Sequence, residues 1–140
     1  MTPPEADQKL ATAIKNDDES GIEAALAAGA DKELRDETGK TPLLRAVHSR
    51  HTKAVSALIN AGADVNAQDN ISDSPFLYAG AEGLTEIVAL LMNAGADYTV
   101  YNRYGGSALI PACERGHVAT VEILLSDKSF PVNHINRLGW

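Results

Sequence analysis

Ala61-Gly62-Ala63-Asp64-Val65-Asn66-Ala67 is the stretch that decides the fold, because its central triplet is periodic. Gly-Ala-Asp stands at Gly29-Ala30-Asp31, Gly62-Ala63-Asp64 and Gly95-Ala96-Asp97, each copy 33 residues after the last. Other columns keep the same phase. Thr41-Pro42-Leu43, Ser74-Pro75-Phe76 and Ser107-Ala108-Leu109 form one; Val55, Val88 and Val121 another; Leu58, Leu91 and Leu124 a third; Asp36, Asp69 and Asn102 a fourth. Ile22 and Leu26 extend the register back toward the N-terminus. A fixed period of this length is the mark of stacked helix pairs, in which each unit buries its apolar face only against its neighbours.

Each period reads as turn, helix, tight loop, helix, loop. Thr41 is a good N-cap and Pro42 suits the first helical position, where a missing N–H costs nothing. Leu43, Ala46 and Val47 give an apolar face at helical spacing, and this helix runs to about Ser49. Thr52 is expected to cap a second helix whose inward face is Val55, Leu58 and Ile59, with Gly62 as its left-handed terminator. Ser74 to Gly83 and Thr85 to Ala94 repeat the pattern, as do Ser107 to Arg115 and His117 to Leu125. The first unit is atypical, with helices near Pro4 to Lys15 and Glu19 to Ala28 and no Thr-Pro opening. Its polar Glu5, Asp7, Gln8 and Lys9 fit an N-terminal cap with one side in water. Helix is expected over more than half the chain. Pro111 falls early in its helix, so the backbone bond it removes is the first of the ladder.

These residues resemble the ankyrin repeat family over nearly the whole chain. Asp36-Glu37-Thr38-Gly39-Lys40-Thr41-Pro42-Leu43 and Ala61 to Ala67 are the most specific stretches. Gly105 to Leu109 with Arg115-Gly116-His117-Val118 is similar to a variant common in bacterial members. The resemblance implies an all-α, right-handed ankyrin-repeat solenoid of helix-turn-helix units with projecting hairpin turns. The units fall at about 4–35, 36–68, 69–101 and 102–135, with the start of a fifth at 136–140. It also implies a concave groove that binds other proteins. The family's usual histidine after Thr-Pro-Leu is replaced by Leu44, Leu77 and Ile110, so apolar packing is expected to take over its role. Arg50 stands where Gly83 and Gly116 stand later, at a position that favours positive φ. A one-residue insertion near Phe130-Pro131 brings Gly139 into line with Gly39 and Gly105. Trp140 then occupies the slot of Lys40, Asp73 and Gly106, one residue before a fifth Thr-Pro-Leu is due, so the sequence reads as cut short.

The chain has 140 residues, 44% of them hydrophobic and 5% aromatic, which suits thin layers of closely packed helices. A formal charge of -7 disfavours general nucleic-acid binding, which needs a basic surface. One cysteine rules out an internal disulfide framework. No stretch reaches the length of a membrane span, and the N-terminal residues lack the basic start and apolar run of a signal peptide. A cytoplasmic location follows as the expectation.

Chemistry-bearing residues do not converge in the sequence. Cys113 and His117 are four apart but separated by Gly116, and Cys113 shares its column with Val47 and Gly80, so a buried, inert thiol is expected. His48, His51, His117 and His134 are scattered and read as solvated or capping rather than zinc ligands. Asp17, Asp18 and Glu19 sit at a helix start, where acids offset the helix dipole. No catalytic residues, cofactor or metal are assigned.

Placing the family's recognition columns on this chain gives the candidate partner-binding residues. They are Lys40, His48, Asn70, Ile71, Asp73, Glu82, Arg103, Tyr104, Glu114, Arg115, Arg137 and Trp140. The wider groove set adds Arg35, Glu37, Thr38, Ser49, Gln68, Ala81, Tyr101, Gly106, Ile135 and Leu138. Within the whole set five cations (Arg35, Lys40, Arg103, Arg115, Arg137) face four carboxylates (Glu37, Asp73, Glu82, Glu114), so the groove is close to neutral in an acidic chain. Tyr, Trp and Arg gather toward the C-terminal half, as interface hot spots do. Tyr104 and Trp140 have a second reading, as packing between adjacent hairpins. The expected partner is a protein, not nucleic acid or membrane. Self-association through an uncapped C-terminal end is the alternative, with Phe130, Ile135 and Trp140 as a makeshift cap in the opposing case. An enzyme using Cys113 is a distant third.

Overall fold

The computed structural model describes residues 2–140 and contains eight helices and, among those residues, no strand. They are α1 (Pro3–Lys15), α2 (Glu19–Ala27), α3 (Pro42–His48), α4 (Thr52–Asn60), α5 (Pro75–Ala81), α6 (Thr85–Asn93), α7 (Leu109–Glu114) and α8 (Val118–Ser126). Helix occupies just under half the chain rather than more than half, because most of the helices end a residue early and α7 starts late. The chain divides into two compact units, one ending at Asp64 and one running from Val65 to Trp140. In the first, α1 pairs with α2 and α3 with α4, and the pairs stack α1 on α3 and α2 on α4. In the second, α5 pairs with α6 and α7 with α8, stacking α5 on α7 and α6 on α8.

The helix starts follow from capping chemistry. Thr41 Oγ1 accepts from Leu44 N–H at 3.2 Å, and Ser74 Oγ accepts from Leu77 N–H at 3.2 Å. Each satisfies a donor that has no partner within its helix. The first unit does open with Thr-Pro after all: Thr2 is the N-cap of α1, accepting from Glu5, and Pro3 follows it. It was missed because α1 is 13 residues long where α3 is seven, which moves the opening out of phase. Thr52 is not a cap. It is the first residue of α4, and the cap position, His51, makes no side-chain cap bond. Asp17 fills that role from the preceding pair, its Oδ1 accepting from Ala54 N–H at 2.8 Å. His51 Nδ1 in turn donates to the Ile14 carbonyl at 2.8 Å, fixing the last turn of α1 to the start of α4.

The ends are equally regular. After α4, Gly62 N–H bonds the Ile59 carbonyl and Ala63 N–H the Leu58 carbonyl, a Schellman closure that puts Gly62 at φ 87°. Pro111 has the predicted effect in sharper form. Arg45 and Tyr78 donate to the carbonyls of their N-caps, Thr41 and Ser74. Pro111 holds the same position without an N–H, so α7 begins at Leu109 instead of Ala108.

The core follows the periodic columns. Leu43, Leu44, Val47, Val55 and Leu58 are fully buried in the first unit, and Val88, Leu91 and Leu124 in the second. Leu44 and Leu77 therefore fill the usual histidine slot with apolar contact. Ile59 is only half-buried; Ala54 and Ala57 carry that face instead. Phe76, Tyr98 and Phe130 form an aromatic cluster in the second unit, with centroid separations of 5.4, 6.5 and 5.1 Å. The insertion near Phe130 thus drops its ring into the core. Ile135 and Trp140 do not join it: they are 67% and 59% exposed, so the makeshift cap reduces to Phe130.

Candidate functional site

The hairpin turns that precede α3, α5 and α7, and the one at residues 136–140, share one device. A carboxylate or amide oxygen at the turn's first residue accepts two backbone N–H groups further on. Asp36 Oδ1 takes Thr38 and Lys40, and Asp69 Oδ1 takes Ile71 and Asp73. Asn102 Oδ1 takes Tyr104 and Gly106, and Asn136 Oδ1 takes Leu138 and Trp140. Burial works upward on Asp36, but hydrogen bonds from Thr38 and Lys40 outweigh it and hold the carboxyl below its ordinary range. These clamps present the residue pairs Glu37-Thr38, Asn70-Ile71, Arg103-Tyr104 and Arg137-Leu138 at equivalent points of successive turns.

In the first unit, Lys40 Nζ donates to Thr38 Oγ1 at 3.0 Å and Lys40 is half-buried, as is His48 on the last turn of α3. The second unit holds the other ten candidates. Asn70, Ile71, Arg103, Tyr104, Arg137 and Trp140 are exposed on the turns, while Asp73 is half-buried. Glu82, at the end of α5, receives the Arg115 guanidinium at 2.9 Å, and Arg115 also donates to the Ala81 carbonyl. Glu114 is exposed beside it. Arg103 Cζ lies 4.9 Å from the Tyr104 ring centroid, a cation–π contact. Arg137 N–H donates to the Tyr104 carbonyl at 2.8 Å, and Arg137 Nη1 donates to the Arg103 carbonyl at 3.1 Å. Adjacent turns are thereby laced together through their own arginines.

One contact was legible but unread. His134 lies one period after Tyr101, and the two rings stack at 3.9 Å with 3° between planes. His134 Nε2 donates to the Gly105 carbonyl at 2.6 Å, so this histidine braces the turn that precedes α7. His117 is structural too, its ring filling the space beside Gly83. Cys113 is a correction: it is exposed, not buried. Val47 and Gly80, its counterparts, are buried in their own units, whereas the outer side of α7 is open. Cys113, His117, Val118 and Val121 line a depression of about 250 Å³ there. Among the described residues, no group of three or more His, Cys, Asp or Glu side chains converges as a metal site would require, and no helix is long and apolar enough to cross a membrane.

No curated protein matches the chain. A family model described as ankyrin repeats, three copies, matches residues 10–102. Solved structures agree. The crystal structure of an ankyrin repeat domain from Acinetobacter baumannii AYE is 50% identical, with a TM-score of 0.87, over 94% of this chain and 66% of that one. The crystal structure of a second ankyrin repeat protein is 40% identical, also with a TM-score of 0.87, over 96% of this chain and 68% of that one. The chain thus spans about two thirds of the length of each. Ankyrin repeats are generally protein–protein interaction modules. With two thirds of its length under the family model and a whole-chain likeness at 50% identity, this protein belongs to the ankyrin repeat family.

Proposed function

We propose that this protein is a non-catalytic recognition module that binds a partner protein through its hairpin turns and the adjoining first helices. The observation that carries the reading is the row of large side chains left in solvent at equivalent turn positions. Ile71 is 55% exposed, Tyr104 47% and Leu138 58%, and Arg103 and Arg137 stand beside the last two. Ordered turns that spend their tip positions on apolar and Arg side chains suit an interface better than a solvated surface. The binding set is Lys40 and His48 in the first unit and Asn70, Ile71, Asp73, Glu82, Arg103, Tyr104, Glu114, Arg115, Arg137 and Trp140 in the second. A single cysteine fits a reducing compartment, and we assign the protein to the cytoplasm.

The test is affinity capture from lysate of the source organism with wild type and with Arg103→Glu/Tyr104→Ala. Partners should be retained by the first and lost by the second, while circular dichroism of the two is the same. Equal capture by both would move the interface elsewhere.

A second reading has its own observation. Val118 is 66% exposed and Leu125 45% exposed on α8, an apolar face through which the chain would associate with itself. Light scattering across a concentration series separates this from a monomeric adaptor. Catalysis through Cys113 ranks below both, and native alkylation addresses it. Cys113 should label at the rate of an ordinary accessible thiol, and a much faster rate would argue for an activated nucleophile.

A further inference from the structure

The tips of the second unit's turns combine two features that rarely coincide in an acidic chain. With 19 carboxylates against 12 Lys and Arg, most cations have an acid to pair with. Arg115 does, at Glu82. Arg103 and Arg137 do not: among the described residues neither guanidinium reaches a carboxylate, and Arg103 is held by its own turn and Arg137 by the turn before it. Arg103 lies over Tyr104. Arg137 bonds the Arg103 carbonyl, and its stem and Nε lie against Gly105, only 3.2–3.4 Å from where a Cβ would stand. Glycine at 105 is thus what lets Arg137 lie across the turn.

The two arginines are therefore preorganised cations rather than waving ones, and most of their N–H donors remain available. A guanidinium fork is matched by a carboxylate, which it can hold through two parallel bonds. The same turns carry Ile71, Tyr104, Leu138 and Trp140, all exposed, and the turn tips Asn70-Ile71, Arg103-Tyr104 and Arg137-Leu138 contain no acid. The acids of the recognition set in this unit lie off the tips: Asp73 at the end of an earlier turn, Glu82 after α5, where it pairs with Arg115, and Glu114 on α7. At the tips themselves the surface is basic and apolar, while the chain as a whole carries -7.

Building on the recognition reading, we propose that this ridge takes an acidic segment of a partner protein. Two carboxylates pair with Arg103 and Arg137, and a large apolar side chain lies against Tyr104 and Trp140. A nucleic acid would also offer anions and stackable rings, but its charge density would meet the field of a net acidic protein at every approach.

Selection of a random-peptide phage library on the full chain tests this, with Trp140, the only tryptophan, as the optical reporter. Selected peptides should be enriched in Asp or Glu together with Leu, Phe or Trp. Their synthetic forms should shift Trp140 emission. Affinity should fall by about tenfold or more in Arg103→Glu/Arg137→Glu, and a peptide with its acids changed to Lys should recover binding to that variant. Basic or neutral peptides, indifference to charge reversal, no selected peptide at all, or tighter binding of oligothymidylate would each overturn the proposal. Amide shift mapping keeps the two readings apart. Peptides that land on the ridge without acidic enrichment defeat the acidic partner and leave recognition standing. Peptides that land elsewhere in the recognition set defeat the acidic ridge alone, and peptides that land outside that set defeat both.

Discussion

Ser72 sits at φ 63° in a column whose other members, Gly39, Gly105 and Gly139, are glycine. Left-handed backbone costs a side-chain-bearing residue about 1–2 kcal/mol, and glycine gives back roughly 0.5–1 kcal/mol through the freedom of its unfolded chain. Ser72→Gly should therefore stabilise by about 0.5–1 kcal/mol in urea unfolding. Gly83→Ala should act oppositely. Its φ is 70°, and a Cβ there would fall 2.5 Å from His117 Nδ1, so both backbone and ring must yield. A loss below about 1 kcal/mol would show that His117 is not packed as described. Tyr98 and Asp127 make a third case. Tyr98 Oη donates to Asp127 Oδ2 at 2.7 Å. Burial first, then this bond and the carboxylate charge, push Tyr98 up to about 12. The Tyr98 bond, followed by those from Ser129, holds Asp127 below the ordinary carboxylate range. A raised tyrosine stabilises fully below its unfolded value of about 10 and loses that contribution as pH rises toward about 12. A lowered aspartate stabilises above its unfolded value near 3.9 and loses that as pH falls. Tyr98→Phe should flatten the alkaline limb of the stability profile and return Asp127 toward the ordinary range in an NMR titration.

Among elements, α4 and α6 hang on Leu58 and Leu91, both fully buried. Truncating either to Ala should cost about 2–5 kcal/mol by opening a cavity that helices this short cannot collapse around. Chemical denaturation checks it, and losses under about 1 kcal/mol would contradict the burial. These helices were legible because each column repeats a residue type against a fixed partner column. Legibility failed where something outside the period intervened. The length of α1 displaced Thr2-Pro3 from phase. The cap of α4 comes from Asp17, 37 residues before Ala54, and no local motif at Thr52 reveals it. Cys113 kept the column of buried residues but not their burial, because a column records which way a side chain points and not what stands opposite.

For the whole molecule, charge decides more than shape. At -7 it should give no mobility shift with duplex DNA at physiological salt. A shift under those conditions would mean that the local basic ridge overrides the net field. If the exposed α8 face drives association, Val118→Glu/Leu125→Glu should abolish any concentration-dependent mass seen by light scattering. The proposed recognition residues were legible only as a set of columns, because exposure at turn tips follows the period. What the period could not show is the bonding within it. Arg103 lies over Tyr104 within a single turn, and Arg137 crosses Gly105 from the next one.

The four turn clamps also bear on how such a surface can evolve. Each uses a single Oδ1, an atom that aspartate and asparagine share, so exchanging one for the other changes charge without changing shape. Here Asp36 and Asp69 supply acid side chains while Asn102 and Asn136 supply amides, and the amide pair underlies the two arginine-bearing tips. A lineage could retune the sign of its binding face one turn at a time by single-base Asp–Asn exchanges, with the architecture left silent to the change.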